Sequence, residues 1–258
     1  VAVLLVGGAF LGIGRPGAGS SALAGDPGAA SAPAVPGAAQ AADELPIAGT
    51  YTRVEGAPTD PGTGATDGLV VHPVRETPVR DAPDGTAIAR LQTRQFGDTW
   101  LPVIGEQDGW LQVLLPSKPA RSTGWILAAD VRRATTPYVI RVHLESMRLE
   151  LVKNGTVTDT WTVGTGKPSA PTPAGRTFLL GAFSDSKQKY SPVILPLGTH
   201  SPTHDSFGGG PGTVAIHTWP SSDVFGTASS DGCIRVPADA LDTLTQVPLG
   251  TLVLIDER

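Results

Sequence analysis

The chain has 258 residues, 32 of them Gly and 24 Pro, with 17% charged and 5% aromatic residues. So many turn-formers argue against a helical bundle and predict a loop-rich, all-β protein of one large or two small domains. A net charge of −5 lacks the positive footprint that polyanions require, which excludes nucleic acid as a partner. One cysteine cannot form an internal disulfide, and with five histidines it leaves too few soft ligands for structural zinc.

Residues 1–14 are apolar, with no charge before Arg15, and Ala22-Leu23-Ala24 has the small-x-small pattern of a cleavage site. The run is short for a membrane span and suits the apolar region of an export signal, so residues 1–24 are predicted to be a signal peptide or an N-terminal anchor. Export would place the protein in the cell wall or extracytoplasmic space, touching the membrane only through that anchor. Residues 25–66 are rich in Ala, Gly, Pro, Ser and Thr and show no period of 2 or 3.6. They are predicted to be a flexible tether.

From residue 69 the pattern changes. Short apolar or alternating segments at 69–74, 86–91, 100–104, 110–115 and 124–126 alternate with turn signals such as Ala82-Pro83-Asp84-Gly85. That spacing predicts a small barrel over 67–134. The stretch resembles a bacterial SH3-like domain, in which Trp110 and Trp125 would pack in the core or line a shallow groove. A second unit, 137–258, opens with strands at 138–144 and 147–153. Asn154-Gly155 supplies two residues that tolerate positive φ, predicting a tight hairpin into a strand at 156–163. Further strands are predicted at 177–183, 214–217 and 251–255, with a short helix beginning near Pro237.

Cys233 lies in Ser229-Ser230-Asp231-Gly232-Cys233-Ile234-Arg235, and His217 ends an apolar run sixteen residues earlier. An exported protein rarely keeps a lone cysteine without a use. A thiol after glycine, with a histidine able to reach it, is a candidate nucleophile and base; an inert buried thiol is the alternative. His200 and His204 have helical metal-pair spacing, but Pro202 between them opposes that helix and no third ligand is evident, so no metal site is predicted. The loop is predicted to flank a substrate cleft.

The segment Ile216-His217-Thr218, its spacer, and Ser230-Asp231-Gly232-Cys233-Ile234-Arg235 resemble the signature of the L,D-transpeptidases, the YkuD family. Thr172-Pro173-Ala174-Gly175, Tyr190-Ser191-Pro192 and the apolar run 250–255 are similar to its other marks. The resemblance implies a β-sandwich or mixed-sheet catalytic domain that uses no cofactor. Its implied partners are peptidoglycan stem peptides, both donor tetrapeptide and acceptor amine, and carbapenem-type β-lactams as covalent inhibitors. Cys233, deprotonated by His217, would attack the third residue of the donor stem and release D-Ala. An amine of a second stem would then take the thioester. Hydrolysis of the same thioester, giving an L,D-carboxypeptidase, and a non-catalytic wall-binding protein are the competing readings.

The remaining roles are read from residue chemistry for that mechanism, with the Thr218 role taken from the resemblance. Thr218 would orient His217 through its carbonyl, and the N–H groups of Gly232 and Cys233 would hold an oxyanion. Ser230 would tie the turn. Tyr190, Arg235 and His200 would line the substrate site, Arg235 either as a fork for a carboxylate or in an ion pair. Asp231 stands where the family carries histidine, and a carboxylate beside the sulfur opposes thiolate formation.

Overall fold

A computed structural model describes residues 45–207 and 210–257; the predicted export segment and the tether up to residue 44 lie outside the described residues. Alternating apolar positions build the first sheet from β1 (Leu69–Pro73), β2 (Thr77–Arg80), β3 (Ala87–Leu91), β4 (Leu101–Gln107), β5 (Trp110–Leu114), β6 (Thr123–Leu127) and β7 (Val131–Thr135). Its order is β3-β2-β6-β5-β4-β1-β7. Trp110 is buried in it, with the Arg80 guanidinium 5.7 Å from its ring, and Trp125 is half-buried.

The second half contains β8 (Tyr138–His143), β9 (Arg148–Lys153), β10 (Thr156–Thr162), β11 (Thr165–Gly166), β12 (Gly175–Phe178), β13 (Ile194–His200), β14 (Thr213–His217), β15 (Ala228–Ser230), β16 (Ile234–Arg235), α1 (Ala238–Leu244) and β17 (Leu252–Asp256). The turn between β9 and β10 forms as expected, with φ of 50° at Asn154 and 78° at Gly155. A five-stranded sheet, β10-β9-β8-β17-β12, faces a three-stranded one, β13-β14-β16. Ile140, Val142, Leu149 and Val253 from the first meet Leu195, Val214, Ile216 and Ile234 from the second in one core. Leu241 and Leu244 of α1 close that core, so the described residues are mostly β with one short α-helix. The β8–β17 and β14–β16 pairs are parallel, which makes both sheets mixed.

Residues 45–66 require a correction. They are a strap packed against both halves, although their composition predicts a tether. Ile47 bridges to Arg90, Arg53 to Lys118 and Thr59 to Ser122, while Ala48 and Val54 are buried. Asp60 is fully buried, and its carboxylate takes a two-pronged bond from Arg176 at 2.7 and 2.5 Å. Asp60 also accepts the Gly62 N–H, so its charge is compensated on several sides. Phe178, the last residue of β12, and Leu180 just beyond it pack into the core of the first sheet. Fully burying two side chains of that size contributes about 1.5–3 kcal/mol each. Accordingly, the described residues belong to one compact unit.

Candidate active site

The β14–β16 ladder brings the two halves of the motif together. Ile216 pairs with Ile234 and His217 with Arg235, in parallel. Carrying that register back two residues sets Cys233 beside Ala215. Side chains alternate along a strand, so Cys233 and His217 point from the same face on neighbouring strands, in diagonal contact range. The Tyr190 ring stands 4.9 Å from the His217 ring, edge-on, and burial, with a thiolate at Cys233 acting in the same direction, raises the phenol's pKa. Thiol, imidazole and phenol therefore share one site.

His217 is oriented by its own chain. Its Nδ1–H donates to the Thr218 carbonyl at 2.8 Å, which leaves Nε2 with a free lone pair. The geometry uses the Thr218 backbone, so its side chain is incidental. Burial pushes the imidazole below its ordinary range, with the neighbouring Arg235 acting in the same direction. The thiol of the half-buried Cys233 is pushed up by desolvation, opposed by a backbone hydrogen bond from Ala215 and by Arg235. Both shifts favour a neutral resting pair, imidazole beside thiol.

The turn before the sulfur is held from two directions. Ser230 Oγ donates to the Cys233 carbonyl at 2.6 Å and accepts the Gly232 N–H at 3.2 Å. Thr172 Oγ1 donates to the Gly232 carbonyl at 2.9 Å. Gly232 sits at φ 110°, a conformation that other residues adopt only with strain. The expectation that both Gly232 and Cys233 N–H groups await an oxyanion needs correcting, because the Gly232 N–H already has Ser230 as its acceptor. The Cys233 N–H has no acceptor among the described residues.

Asp231 forms an ion pair with Lys167 at 2.6 Å. The lysine hydrogen bond holds its carboxyl below the usual carboxylate range, so it is charged at neutral pH but compensated. Arg235 stacks over Trp219, 4.1 Å from the ring, and donates to Ser229 Oγ at 3.2 Å. No carboxylate pairs with it among the described residues. Tyr190 is half-buried in a loop that Gln188 pins by accepting the N–H groups of Tyr190 and Ser191. Ser191 Oγ in turn accepts the Thr218 N–H, tying this loop to the histidine strand.

With this geometry the sequence comparison becomes specific. Residues 137–255 match the family model of the L,D-transpeptidase catalytic domain, YkuD. The match covers just under half of the chain and contains every group described above. L,D-transpeptidase 3 from Mycobacterium tuberculosis, solved with a faropenem-derived adduct, is 13% identical, with 53% of this chain and 74% of that one covered and a TM-score of 0.41. The catalytic domain of the E. faecium L,D-transpeptidase is 25% identical, covering 46% and 96%, with a TM-score of 0.36. The Ldtfm-avibactam carbamoyl enzyme is 20% identical, covering 64% and 71%, with a TM-score of 0.39. No curated protein matches the chain.

His200 falls outside this cluster. It is buried, and its Nε2–H donates 2.7 Å to the Thr50 carbonyl of the strap, so it fastens the strap instead of facing substrate. The residues that sequence reasoning missed are Lys167, Gln188, Ser191 and Trp219, together with the contact made by Thr172. Trp219 directly follows His217-Thr218, and Thr172 opens the Thr-Pro-Ala-Gly segment; those neighbours were the available signals. Nothing local marks Lys167 as the partner of Asp231. A cavity of about 530 Å³, lined by Trp100, Arg94, Asp98 and Leu249, contains none of the site groups.

His200 also carries a pH prediction. Burial lowers its pKa from 6.5 to about 4, so the unfolded chain takes up a proton first as pH falls. Stability is complete above pH 6.5 and declines by about 3 kcal/mol as pH falls to about 4. Chemical denaturation of the wild type and His200→Gln at a series of pH values should show that slope flattened in the variant. Parallel curves would contradict the assignment.

Proposed function

We propose that the protein is an exported peptidoglycan L,D-transpeptidase working through a Cys233 thioester. The observation that carries this reading is the His217 imidazole, turned by Thr218 so that Nε2 is free on the strand beside Cys233. As sulfur attacks the carbonyl carbon of the third residue of a donor stem, its proton passes to Nε2. The carbonyl π-electrons move onto oxygen, where the Cys233 N–H donates to them. Collapse re-forms the carbonyl and breaks the bond to D-Ala, whose nitrogen leaves with the proton held by His217. The amine of a second stem then attacks the thioester, gives up a proton and returns Cys233 to the thiol.

Arg235, which forms no ion pair with a carboxylate among the described residues, would hold the carboxylate of the stem, and Tyr190 would wall the donor pocket. The SH3-like module would hold the enzyme on the wall. Covalent capture of β-lactams follows from the same nucleophile, in line with the neighbours solved as faropenem and avibactam adducts. Among the described residues no helix is long and apolar enough to cross a membrane. Incubation with purified tetrapeptide stems tests the reading. Cross-linked dimers with released D-Ala are expected; tripeptides alone would indicate hydrolysis, and unchanged stems a wall-binding protein.

The Asp231–Lys167 pair makes a second test. Removing the acid's charge near the sulfur lowers the thiol pKa, because that charge opposes ionisation. Asp231→Asn should therefore alkylate with iodoacetamide about two- to five-fold faster than wild type at pH 7, a modest gain because the site is open to solvent screening. Lys167→Met, which strips the acid of its counter-charge, should be slower than wild type. An unchanged or slower Asp231→Asn rate would contradict the electrostatic account.

A further inference from the structure

We infer that Thr172 is a positioning residue for oxyanion stabilisation, aiming the Cys233 N–H by gripping the opposite end of the same peptide group. The inference rests on the acyl-transfer reading and deepens it. Thr172 is buried, and its hydroxyl is bonded on both sides. It accepts the Gly166 N–H at 2.9 Å and donates to the Gly232 carbonyl at 2.9 Å. Gly166 is itself fixed, paired in parallel with Ser230 through β11 and β15.

A peptide group is planar and trans, so its C=O and N–H point in opposite directions. Holding the Gly232 carbonyl against the buried Thr172 turns the Cys233 N–H the other way, the direction in which the acyl-transfer reading requires an oxyanion donor. Gly232 has no Cβ and lies at φ 110°, where the backbone has wide rotational freedom. Without a grip, this peptide could swing. The flanking peptide groups are fixed by Ser230, which takes the Gly232 N–H and the Cys233 carbonyl. Three successive peptide groups are therefore locked by two hydroxyls, and the Cys233 N–H has no acceptor among the described residues. A preorganised donor of this kind stabilises developing charge without reorganising during the reaction.

Acylation and alkylation of the same sulfur separate this role from a structural one. A carbapenem acylates through a tetrahedral oxyanion, whereas iodoacetamide alkylates by direct displacement of iodide and develops no oxyanion. Thr172→Val keeps the shape and removes the hydroxyl. Its acylation by imipenem, followed by intact mass, should be about 10- to 100-fold slower than wild type. Its alkylation by iodoacetamide should stay within about two-fold, because the sulfur and His217 are untouched. Thr172→Ser should restore most of the acylation rate. If valine prevents folding, Thr172→Ala carries the same comparison. Equal losses in both reactions, or no loss in either, would overturn the inference. A wild type that alkylates yet never acylates would instead overturn the acyl-transfer reading, and the inference with it.

Discussion

Arg176→Ala should cost about 3–5 kcal/mol of unfolding free energy, a large part of the usual 5–15 kcal/mol. The magnitude comes from what remains. Asp60 is wholly enclosed, and without Arg176 its carboxylate keeps the Gly62 N–H but loses both charge-assisted bonds. The pair joins strap to β12, so the damage should spread along residues 45–66, where hydrogen exchange would show lost protection. Replacing both partners, as in Asp60→Leu with Arg176→Met, should recover much of the loss, because no buried charge is then left alone. Denaturant titration of the three variants checks this. A single-variant loss below about 1 kcal/mol, the range of exposed pairs, would contradict the buried bridge.

Loss of the imidazole should have the largest kinetic effect. His217→Ala is expected to acylate about 10²–10⁴-fold more slowly at pH 7, the contribution typical of a positioned base. Burial lowers the His217 pKa and raises that of Cys233, so neither charge is present in the resting pair at neutral pH and the proton must move as sulfur attacks. Because His217 stays neutral below the ordinary histidine range, wild-type acylation should persist as pH falls through 6.5 and fail only on further acidification. In the variant, acylation should instead climb with pH as the thiol ionises without help. A His217→Ala rate within about three-fold of wild type would remove the histidine from the mechanism.

Features with a local cause were legible in the sequence. Asn154-Gly155 announces its hairpin because the two residues tolerate the required φ, and the leucines of α1 announce a buried face. The His217 and Cys233 segments could be paired from their motif. The strap could not be read, because its order comes from partners 116 positions away for Asp60 and 150 for Thr50, while its own Gly- and Pro-rich pattern predicts disorder. Strand β2 was hidden in a turn-rich stretch, Arg75 to Gly85, where only Val79 and Thr77 bury their side chains. Likewise, the partner of the Gly232 N–H depends on a serine two residues back, and only the folded turn reveals that contact. His200 was misread for a related reason: proximity in sequence to a presumed cleft loop says nothing about a backbone carbonyl contributed by the strap.

The nucleophilic role of Cys233 is most directly tested by intact-mass analysis of the whole chain with imipenem, beside Cys233→Ala. The account predicts one stoichiometric adduct on wild type, mapped by peptide digestion to Cys233, and none on the variant. An adduct that survives the substitution, or a wild type whose sulfur accepts iodoacetamide but never an acyl group, would contradict it.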